Sequence, residues 1–207
     1  MMKLYGFDTI NTLKVLMLLL ETGIEFEYVP IDIRTGQQHT PEFRAINPAG
    51  KVPVLSDRGH HQAESNAILL SLANKARWGA APDTRGQDEV IKWLFFQAST
   101  QGPHFGLLEH WAKFAKTPNP EALAHQQAIA SRTIAHLNET LIGRYYFSGE
   151  TYTVADIALF PWLHIHEHLG LSLAGAENLS VWLDRIRRKP ATMKACNFFG
   201  TGSIFSI

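Results

Sequence analysis

Glu64 and Ser65 lie where a short strand-like stretch gives way to an apolar run, at the predicted start of a helix. A serine there caps the helix or lies in its first turn. The first N–H groups of a helix have no partner within it and lie at the positive end of the helix dipole, so they suit a carboxylate. The acid of Glu64 suits an ammonium group. This pair therefore predicts a site for the α-amino acid end of a ligand.

Residues 46–55 predict a loop that feeds a strand, because a turn-forming Asn-Pro-Ala-Gly sequence leads into alternating apolar residues. Pro53 cannot donate a backbone hydrogen bond, and three roles are open to it: an edge-strand proline, a rigid turn, or a cis bond that turns the backbone of Val52 towards a bound peptide. Residue types alone favour the edge strand, since only about one X-Pro bond in twenty is cis. Glu64 and Ser65 shift the prediction towards the cis bond, because a backbone edge at Val52 and an anion site at Ser65 together describe a receptor for a small peptide.

The order of elements predicts an α/β thioredoxin-like N-terminal domain plus an all-α C-terminal helical domain. Residues 1–77 read as strand, helix, strand, helix, strand, strand and helix, with the first two strands parallel through a crossover. Residues 78–86 are rich in turn formers and are expected to be a linker. Residues 87–207 are expected to form the helical domain, which provides the acceptor-substrate pocket and dimer contacts, with helices at residues 87–115, 120–142, 154–169 and 180–189.

One cap in the helical half looks functional, but its spacing favours a structural role. Thr153 is followed three residues later by Asp156, which is the pattern of a capping box at the start of a buried helix. A fold-stabilising cap is the ordinary use of this pattern. We therefore expect Asp156 to stabilise the helical domain rather than to take part in chemistry.

Composition excludes several kinds of partner. With 19 basic and 19 acidic residues, the chain has a formal net charge of zero and no electrostatic footprint for nucleic acid. The first residues lack the apolar core of a signal peptide, and the apolar run at residues 16–20 is far too short to span a bilayer, so we expect a cytoplasmic protein without a membrane partner.

Cysteine and histidine usage argues against a disulfide and against a metal. Cys196 is the only cysteine, so an internal disulfide is excluded, and we expect it to be a small buried residue. His164, His166 and His168 lie in one predicted helix, but their spacing places only the first and third on a common face. No metal is expected.

The Asn-Pro-Ala-Gly-Lys-Val-Pro sequence at residues 47–53, followed by Glu64 and Ser65, resembles the glutathione-binding half of cytosolic glutathione transferases. Residues 7–11, together with residues 93–97 and 102–103, are most similar to the bacterial Nu class, which is disulfide-bond-reductase-like. The resemblance covers nearly the whole chain. It implies a homodimer that uses glutathione as co-substrate and binds it through the following set: Gln38, His39, Lys51, Val52, Pro53, Glu64 and Ser65.

In that class a threonine and an asparagine replace the catalytic tyrosine, serine or cysteine of other classes, and the matching residues here are Thr9 and Asn11. Their donors would stabilise the glutathione thiolate, which is the nucleophile. By spacing alone, an N-cap of the first helix is the better explanation of both residues, and only the resemblance reverses that order. Tyr5 is the rival donor, although its place is typical of a packed strand residue.

The first long helix carries a mostly apolar set at intervals of three and four residues, from which we predict an acceptor pocket that includes His104, Leu108 and Trp111. Helix core and dimer contact are the competing interpretations of such a stripe. The tail at residues 200–203 is placed to fold over this pocket.

Three functions remain open. The first is a glutathione transferase that acts on an electrophilic small molecule in detoxification, with peroxidase activity as an additional option. The second is a glutathione-dependent disulfide-bond reductase. Its two-glutathione mode is weakened because residues 125–127 are His-Gln-Gln where an arginine is expected, with Arg132 further along. The third is a non-catalytic protein-interaction module. No cysteine lies in the loop at residues 7–11, so a mixed disulfide with the protein is disfavoured.

Overall fold

The computed structural model of the chain describes residues 1–79 and 84–207. These residues form two compact units, one made of Met1–Trp78 together with Pro190–Ile207 and the other of Gly79–Lys189. The predicted linker at residues 78–86 falls at this division, and its residues 80–83 lie outside the described part of the chain.

The first unit is built on a four-stranded mixed sheet with the strand order β2-β1-β3-β4. β1 (Met2–Gly6) pairs in parallel with β2 (Phe26–Pro30). β3 (Val54–Asp57) runs antiparallel both to β1 and to β4 (His60–Gln62). The parallel pair joined by a crossover, followed by a hairpin, confirms the thioredoxin-like arrangement expected from the order of elements.

Three helices accompany the sheet in the first half of the chain. α1 (Ile10–Thr22) begins after Thr9 and ends at Gly23, which has a left-handed φ of 66°. Residues 12–19 of α1 are all buried, so this helix is covered on every side, as its apolar sequence indicates. α2 (Pro41–Ile46) is short, and α3 (Ser65–Ala76) follows β4. The starts of α1 and α3 are the two helix ends on which the site depends.

The regular secondary structure of the second unit's described residues is helical, apart from one isolated backbone bridge between Tyr146 and Gly149. The helix predicted at residues 154–169 ends at His164, and the one predicted from residue 180 begins at Glu177. The helices are α4 (Thr84–Phe96), α5 (Gly102–Glu109), α6 (Pro120–Thr140), α7 (Val154–His164) and α8 (Glu177–Arg187).

The single helix predicted over residues 87–115 is interrupted by two π-helical segments, Gln97–Gln101 and His110–Phe114. Pro103 lies just after the first segment and has no N–H group to donate to the preceding turn. Its ring also crowds the carbonyl of Ser99 four residues earlier, so a wider turn accommodates it without breaking the helix.

Asp156 holds the centre of the helical unit together. Its buried carboxylate accepts hydrogen bonds from the backbone N–H groups of Thr153 and Phe147, each at 3.0 Å, and from the Trp182 indole at 2.9 Å. Thr153 in turn caps α7, which completes the capping box expected from the sequence. Burial raises the pKa of Asp156 to about 6, although the hydrogen bonds from these donors lower it in part. The carboxylate is therefore a structural acceptor.

The last residues of the chain return to the first unit. α9 (Pro190–Cys196) packs against α1, and Cys196 is buried as expected. Phe198 and Phe199 pack edge-on against Tyr28 of β2, with ring centroids 5.0 and 5.8 Å away. The sequence analysis assigned these residues to the helical domain, whereas aromatic packing places them on the sheet unit.

The tail beyond α9 was expected to fold over the acceptor pocket, but it contacts the loop before α1 instead. Ser203 donates a hydrogen bond of 2.9 Å to the Asp8 carboxylate, and Phe205 is fully buried. Asp8 lies next to Thr9, so the tail rests on the loop that precedes α1. Burial raises the pKa of Tyr28 to about 12, with a further contribution from the charge of Asp8. The tail therefore fixes one side of the candidate site in the first unit.

We expect Asp156→Ala to lower the free energy of unfolding by about 3 kcal/mol or more. The substitution leaves the buried donors of Thr153, Phe147 and Trp182 without an acceptor, and each such loss costs about 1–3 kcal/mol. Denaturant unfolding followed by tryptophan fluorescence measures the change. Asp184→Ala removes an exposed carboxylate and is the control, with an expected change below about 0.5 kcal/mol. An equally small effect at Asp156 would contradict its assigned role.

Candidate functional site

Thr9 is the last residue of the loop before α1 and is the N-cap of that helix. Its hydroxyl oxygen accepts a 3.3 Å hydrogen bond from the Thr12 N–H and lies 3.0 Å from the Thr12 hydroxyl. When Thr12 donates in that second contact, the Thr9 proton is left to point outwards. The cap and the donor role are thus compatible at this residue.

Thr12 is held closely against the end of β1. A Cβ atom at Gly6 would lie 2.5 Å from the Thr12 side chain, and the Phe7 N–H donates to the Thr12 hydroxyl at 3.4 Å. The absence of a side chain at Gly6 therefore lets the strand end approach the first turn of α1. This close approach fixes the position of the loop that carries Thr9.

Asn11 connects the start of α1 to the start of α3. The Ser65 hydroxyl donates a 3.2 Å hydrogen bond to the Asn11 Oδ1 atom. Because Oδ1 faces Ser65, the Nδ2 group of the same amide faces away from that contact, and the residue is exposed. Asn11 can therefore donate to a ligand atom while its orientation is set by Ser65.

Ser65 is the first residue of α3, and Glu64 precedes it with an unusual backbone conformation. Glu64 has φ 68° and ψ 106°, a region that non-glycine residues rarely adopt. Such a conformation costs about 1–3 kcal/mol and is concentrated at ligand sites. No side chain caps the start of α3, so the first N–H groups of this helix can donate to a bound anion.

Lys14 is a site residue that the sequence analysis did not select. It lies on α1 with only 1% of its surface exposed, and its Nζ atom donates to Ser65 Oγ and to Asn66 Oδ1, each at 3.4 Å. Burial lowers its pKa to about 7, and the charge of Glu64 acts in the opposite direction. The available signal was a lysine inside an otherwise apolar helix that is buried on all sides.

The peptide bond between Val52 and Pro53 is cis. The edge-strand role favoured by residue types alone is wrong, because Pro53 precedes β3, and β3 is paired on both sides. Asn47 shapes the loop before it by donating to the Lys51 carbonyl at 2.7 Å and accepting from the Ala49 N–H at 3.2 Å. Val52 therefore lies at the end of a constrained loop, outside the paired residues of the strand.

Gly50 lies against two of the residues predicted to bind glutathione, Gln38 and His39, and precedes a third, Lys51. It has a left-handed φ of 61°, and a Cβ atom there would lie 2.9 Å from the Gln38 carbonyl and 3.1 Å from the His39 ring. The side chain of Gln38 donates to the Ile33 carbonyl at 3.2 Å, which anchors this segment. His39 and Lys51 are both exposed beside the same loop. The three polar residues thus form one cluster in the first unit.

Tyr5 occupies the middle of β1 and behaves as the strand residue expected from its position. It lies opposite Val29 on one side and Val54 on the other, and its ring packs edge-on against Phe43 at 6.4 Å. This packing is that of a strand residue, and the donor role of Tyr5 stays the alternative to Thr9 and Asn11.

The residues predicted for an acceptor pocket lie in the helical unit. His104 on α5 pairs with Gln126 of α6 through a 2.9 Å hydrogen bond, and Trp111 is partly exposed next to the His110 ring. Leu108 is fully buried, so it contributes to the helical core and presents no surface to a ligand. The stripe therefore serves packing at Leu108 and leaves polar or aromatic surface at the other two positions.

The three neighbouring histidines make different contacts. His164 stacks on Phe160 at 5.1 Å, and His168 lies 3.5 Å from the Glu109 carboxylate. Burial lowers the pKa of His166. Among residues 1–79 and 84–207, no cluster of three or more metal-ligating side chains is present, and no helix is both long and apolar enough to cross a membrane.

Comparison with known proteins identifies both halves of the chain. Residues 1–74 match the glutathione S-transferase N-terminal domain, and residues 120–185 match the glutathione S-transferase C-terminal domain. The disulfide-bond oxidoreductase YfcG of Escherichia coli is 32% identical over 202 residues, which cover 94% of each chain.

Two solved structures have the same fold. A glutathione transferase family member from Pseudomonas fluorescens with two glutathione bound has a TM-score of 0.86 and 32% identity, covering 94% of this chain and 91% of the other. A glutathione transferase from Burkholderia graminis with two glutathione molecules per subunit has a TM-score of 0.88 and 31% identity, covering 95% and 87%. The matching domains and full-length similarity establish that the chain belongs to the glutathione S-transferase family.

Proposed function

We propose that the protein is a glutathione transferase that stabilises the glutathione thiolate for attack on an electrophilic small molecule. The observation that carries this proposal is the 3.2 Å hydrogen bond between Ser65 and Asn11. It joins the site expected to hold the γ-glutamyl end of glutathione to the site expected to hold its sulfur. Both lie within the first unit, at the starts of α3 and α1.

Glutathione fits this unit in one direction. Its γ-glutamyl carboxylate is placed on the first N–H groups of α3 at Ser65, and its ammonium group beside Glu64. The peptide backbone pairs with Val52, ahead of Pro53. The glycine carboxylate then reaches the cluster of residues that lies beside the Gly50 turn: Gln38, His39 and Lys51. The cysteine sulfur lies between these ends, near Asn11.

Thiolate stabilisation follows from donors at the start of α1. The Asn11 Nδ2 group, the Thr9 hydroxyl and the positive end of the α1 dipole all favour the charged sulfur. The thiol proton passes to solvent, the thiolate forms a carbon–sulfur bond, and the electrophile's leaving group departs with its bonding electrons. His104 and Trp111 are proposed to contact the electrophile. The family's usual assembly and location, a cytoplasmic homodimer, are part of the same proposal.

Reduction of a disulfide by two glutathiones is the second candidate, and the relatives favour it. The Escherichia coli relative is named a disulfide-bond oxidoreductase, and two similar structures hold two glutathione molecules. The first glutathione thiolate would attack the disulfide, forming a mixed disulfide and releasing one substrate thiol. The second glutathione thiolate would attack the glutathione sulfur of that mixed disulfide, forming oxidised glutathione and releasing the other substrate thiol. Cys196 is buried, so both thiols would come from glutathione. Parallel assays with a chlorinated aromatic and a model disulfide separate the two reactions.

We expect Asn11→Ala to raise the pKa of the bound glutathione thiol by about 1–2 units. A hydrogen bond to a charged group contributes about 1.5–3 kcal/mol, and one pKa unit corresponds to about 1.4 kcal/mol. Ultraviolet titration of the thiolate band in the enzyme–glutathione complex measures this shift. Asn74→Ala, an exposed asparagine of α3, should titrate as the wild type does. An unchanged titration in Asn11→Ala would transfer the role to Tyr5 or to the helix dipole alone.

Two variants of Glu64 should separate its charge from its backbone. We expect both Glu64→Ala and Glu64→Gly to weaken glutathione binding by about 10- to 100-fold, because the ligand's ammonium loses a charged partner worth about 1.5–3 kcal/mol. Glu64→Gly should also be about 1 kcal/mol more stable than Glu64→Ala, since glycine tolerates φ 68°.

Calorimetric titration with glutathione and denaturant unfolding provide the two measurements for Glu64. Wild-type affinity in Glu64→Ala would exclude the proposed ammonium contact. Failure of the wild-type protein to be retained on glutathione resin would instead favour the non-catalytic interaction module.

A further inference from the structure

Asp8 directly precedes the N-cap of α1, and its carboxylate is held by the far end of the chain. The Ser203 hydroxyl donates to Asp8 Oδ1 at 2.9 Å, across 195 positions of sequence. The same hydroxyl oxygen accepts from the Phe205 N–H at 3.2 Å. A hydroxyl has one hydrogen and an ionised carboxylate can only accept, so that hydrogen is directed at Asp8. Ser203 therefore sets the orientation of this carboxylate.

The tail that carries Ser203 has anchors of its own. Ser203 is only 9% exposed, and Phe205 is fully buried. The Gly200 carbonyl accepts both the Ser203 N–H at 3.1 Å and the Ser206 hydroxyl at 2.6 Å. These contacts do not involve Asp8. The tail thus presents the Ser203 hydroxyl from a position that other interactions maintain.

The start of α1 has two N–H groups that the protein itself leaves available. Thr9 serves the two that follow them: its hydroxyl oxygen accepts from the Thr12 N–H at 3.3 Å, and its carbonyl accepts from the Leu13 N–H at 3.0 Å. The N–H groups of Ile10 and Asn11 come before these, and no residue that the structure describes accepts from them. The proposed function assigns this positive end of the helix to the glutathione thiolate.

An aspartate before a helix commonly accepts from backbone N–H groups two or three residues further along the chain. For Asp8 these are the N–H groups of Ile10 and Asn11. The same local contact occurs elsewhere in this unit, where Asp32 Oδ1 accepts from the Arg34 N–H at 2.9 Å. Asp8 Oδ1 is instead bonded to the tail beyond α9. Its carboxylate is therefore kept off donors that lie within its own reach.

We propose that Ser203 is a positioning residue that holds the Asp8 carboxylate away from the start of α1 and so leaves the N–H groups there to the glutathione thiolate. The inference rests on the proposed function, which places the sulfur at this helix start. Without the Ser203 hydroxyl, the Asp8 carboxylate accepts from the N–H groups of Ile10 and Asn11. It then occupies donors that the thiolate needs and adds a negative charge beside the sulfur, and both effects disfavour the thiolate.

Other groups near this loop are engaged elsewhere. The Arg34 guanidinium lies 5.0 Å from the Phe7 ring centroid, but it already donates to both carboxylate oxygens of Asp32, at 3.0 and 2.8 Å. Tyr28 is neutral near pH 7, because burial and the charge of Asp8 raise its pKa to about 12. The helix start is therefore the cationic site open to a released Asp8 carboxylate.

The test is ultraviolet titration of the glutathione thiolate band in Ser203→Ala and in Asp8→Ala. Both variants lose the hydrogen bond between tail and loop, but only Ser203→Ala leaves a free carboxylate. We expect Ser203→Ala to raise the pKa of the bound thiol by about 0.5–1 unit, as for an anion that loses the favourable end of a helix to a competing charge. Asp8→Ala should match the wild type or lie slightly below it. An equal rise in both variants would make Ser203 a mere anchor of the loop and would overturn the proposal.

A double variant separates the charge of Asp8 from the structure of the tail. Ser203→Ala combined with Asp8→Ala still deprives the Phe205 N–H of its acceptor, so any loosening of the tail remains, but the competing carboxylate is gone. We expect its thiol pKa to return to the wild-type value. Ser206→Ala, which removes a different tail hydroxyl, is the control and should titrate as the wild type does. A double variant whose thiol pKa stays as high as that of Ser203→Ala would contradict the competition.

Nuclear magnetic resonance of the empty protein provides a readout that does not depend on glutathione. In Ser203→Ala, the amide hydrogens of Ile10 and Asn11 should move downfield as they gain a charged acceptor, and acid that protonates Asp8 should reverse the change. Unchanged amide shifts in this variant would overturn the proposal. A wild-type thiolate band that Ser203→Ala leaves unchanged would overturn it while leaving the proposed function intact. Absence of a thiolate band in the wild-type complex would remove both.

Discussion

The hydrogen bond from Ser65 to Asn11 ties together the starts of two helices that are more than fifty residues apart in the chain. Each helix start has partly positive N–H groups, and neighbouring positive ends repel one another unless an anion lies between them. Side-chain hydrogen bonding holds α1 and α3 in this unfavourable arrangement. In the proposed function, the two helix starts form a site whose positive potential favours a negatively charged ligand before one binds.

Two energetically unfavourable features lie beside this hydrogen bond, and the apolar packing around them offsets their cost. Glu64 adopts a strained backbone conformation, and Lys14 is fully buried. Both are tolerated because α1 is packed on all sides and β3 lies at the centre of the sheet with a partner on each edge. The buried charge in the helical unit differs in this respect. The carboxylate of Asp156 already receives hydrogen bonds from three donors within the protein.

Patterns that depend on local chemistry were predictable from the sequence. The order of strands and helices follows from periodicity and turn residues, and the capping box at Thr153 and Asp156 follows from spacing. The position of Ser65 at a helix start follows in the same way. Each of these features is determined by residues within a few positions of one another.

Features that depend on distant residues were not predictable. The role of Lys14 is set by Ser65 and Asn66, which are 51 and 52 residues away, and nothing in the local pattern of α1 specifies them. The cis bond before Pro53 goes against the base rate for X-Pro bonds, so residue types alone pointed elsewhere, and only its combination with Glu64 and Ser65 favoured the cis form. The docking of the chain's last residues onto β2 depends on Tyr28, which alternation alone marks only as a strand residue.

The return of residues 190–207 to the sheet unit has a consequence for synthesis of the chain. A ribosome makes the sheet and its first helices early, but α9 and the aromatic residues that cover Tyr28 emerge only after the helical unit. The helical unit is complete in sequence before the sheet unit is, so it can fold while one flank of the sheet unit is still exposed. During translation the sheet unit therefore stays incomplete until residues 190–207 have been made.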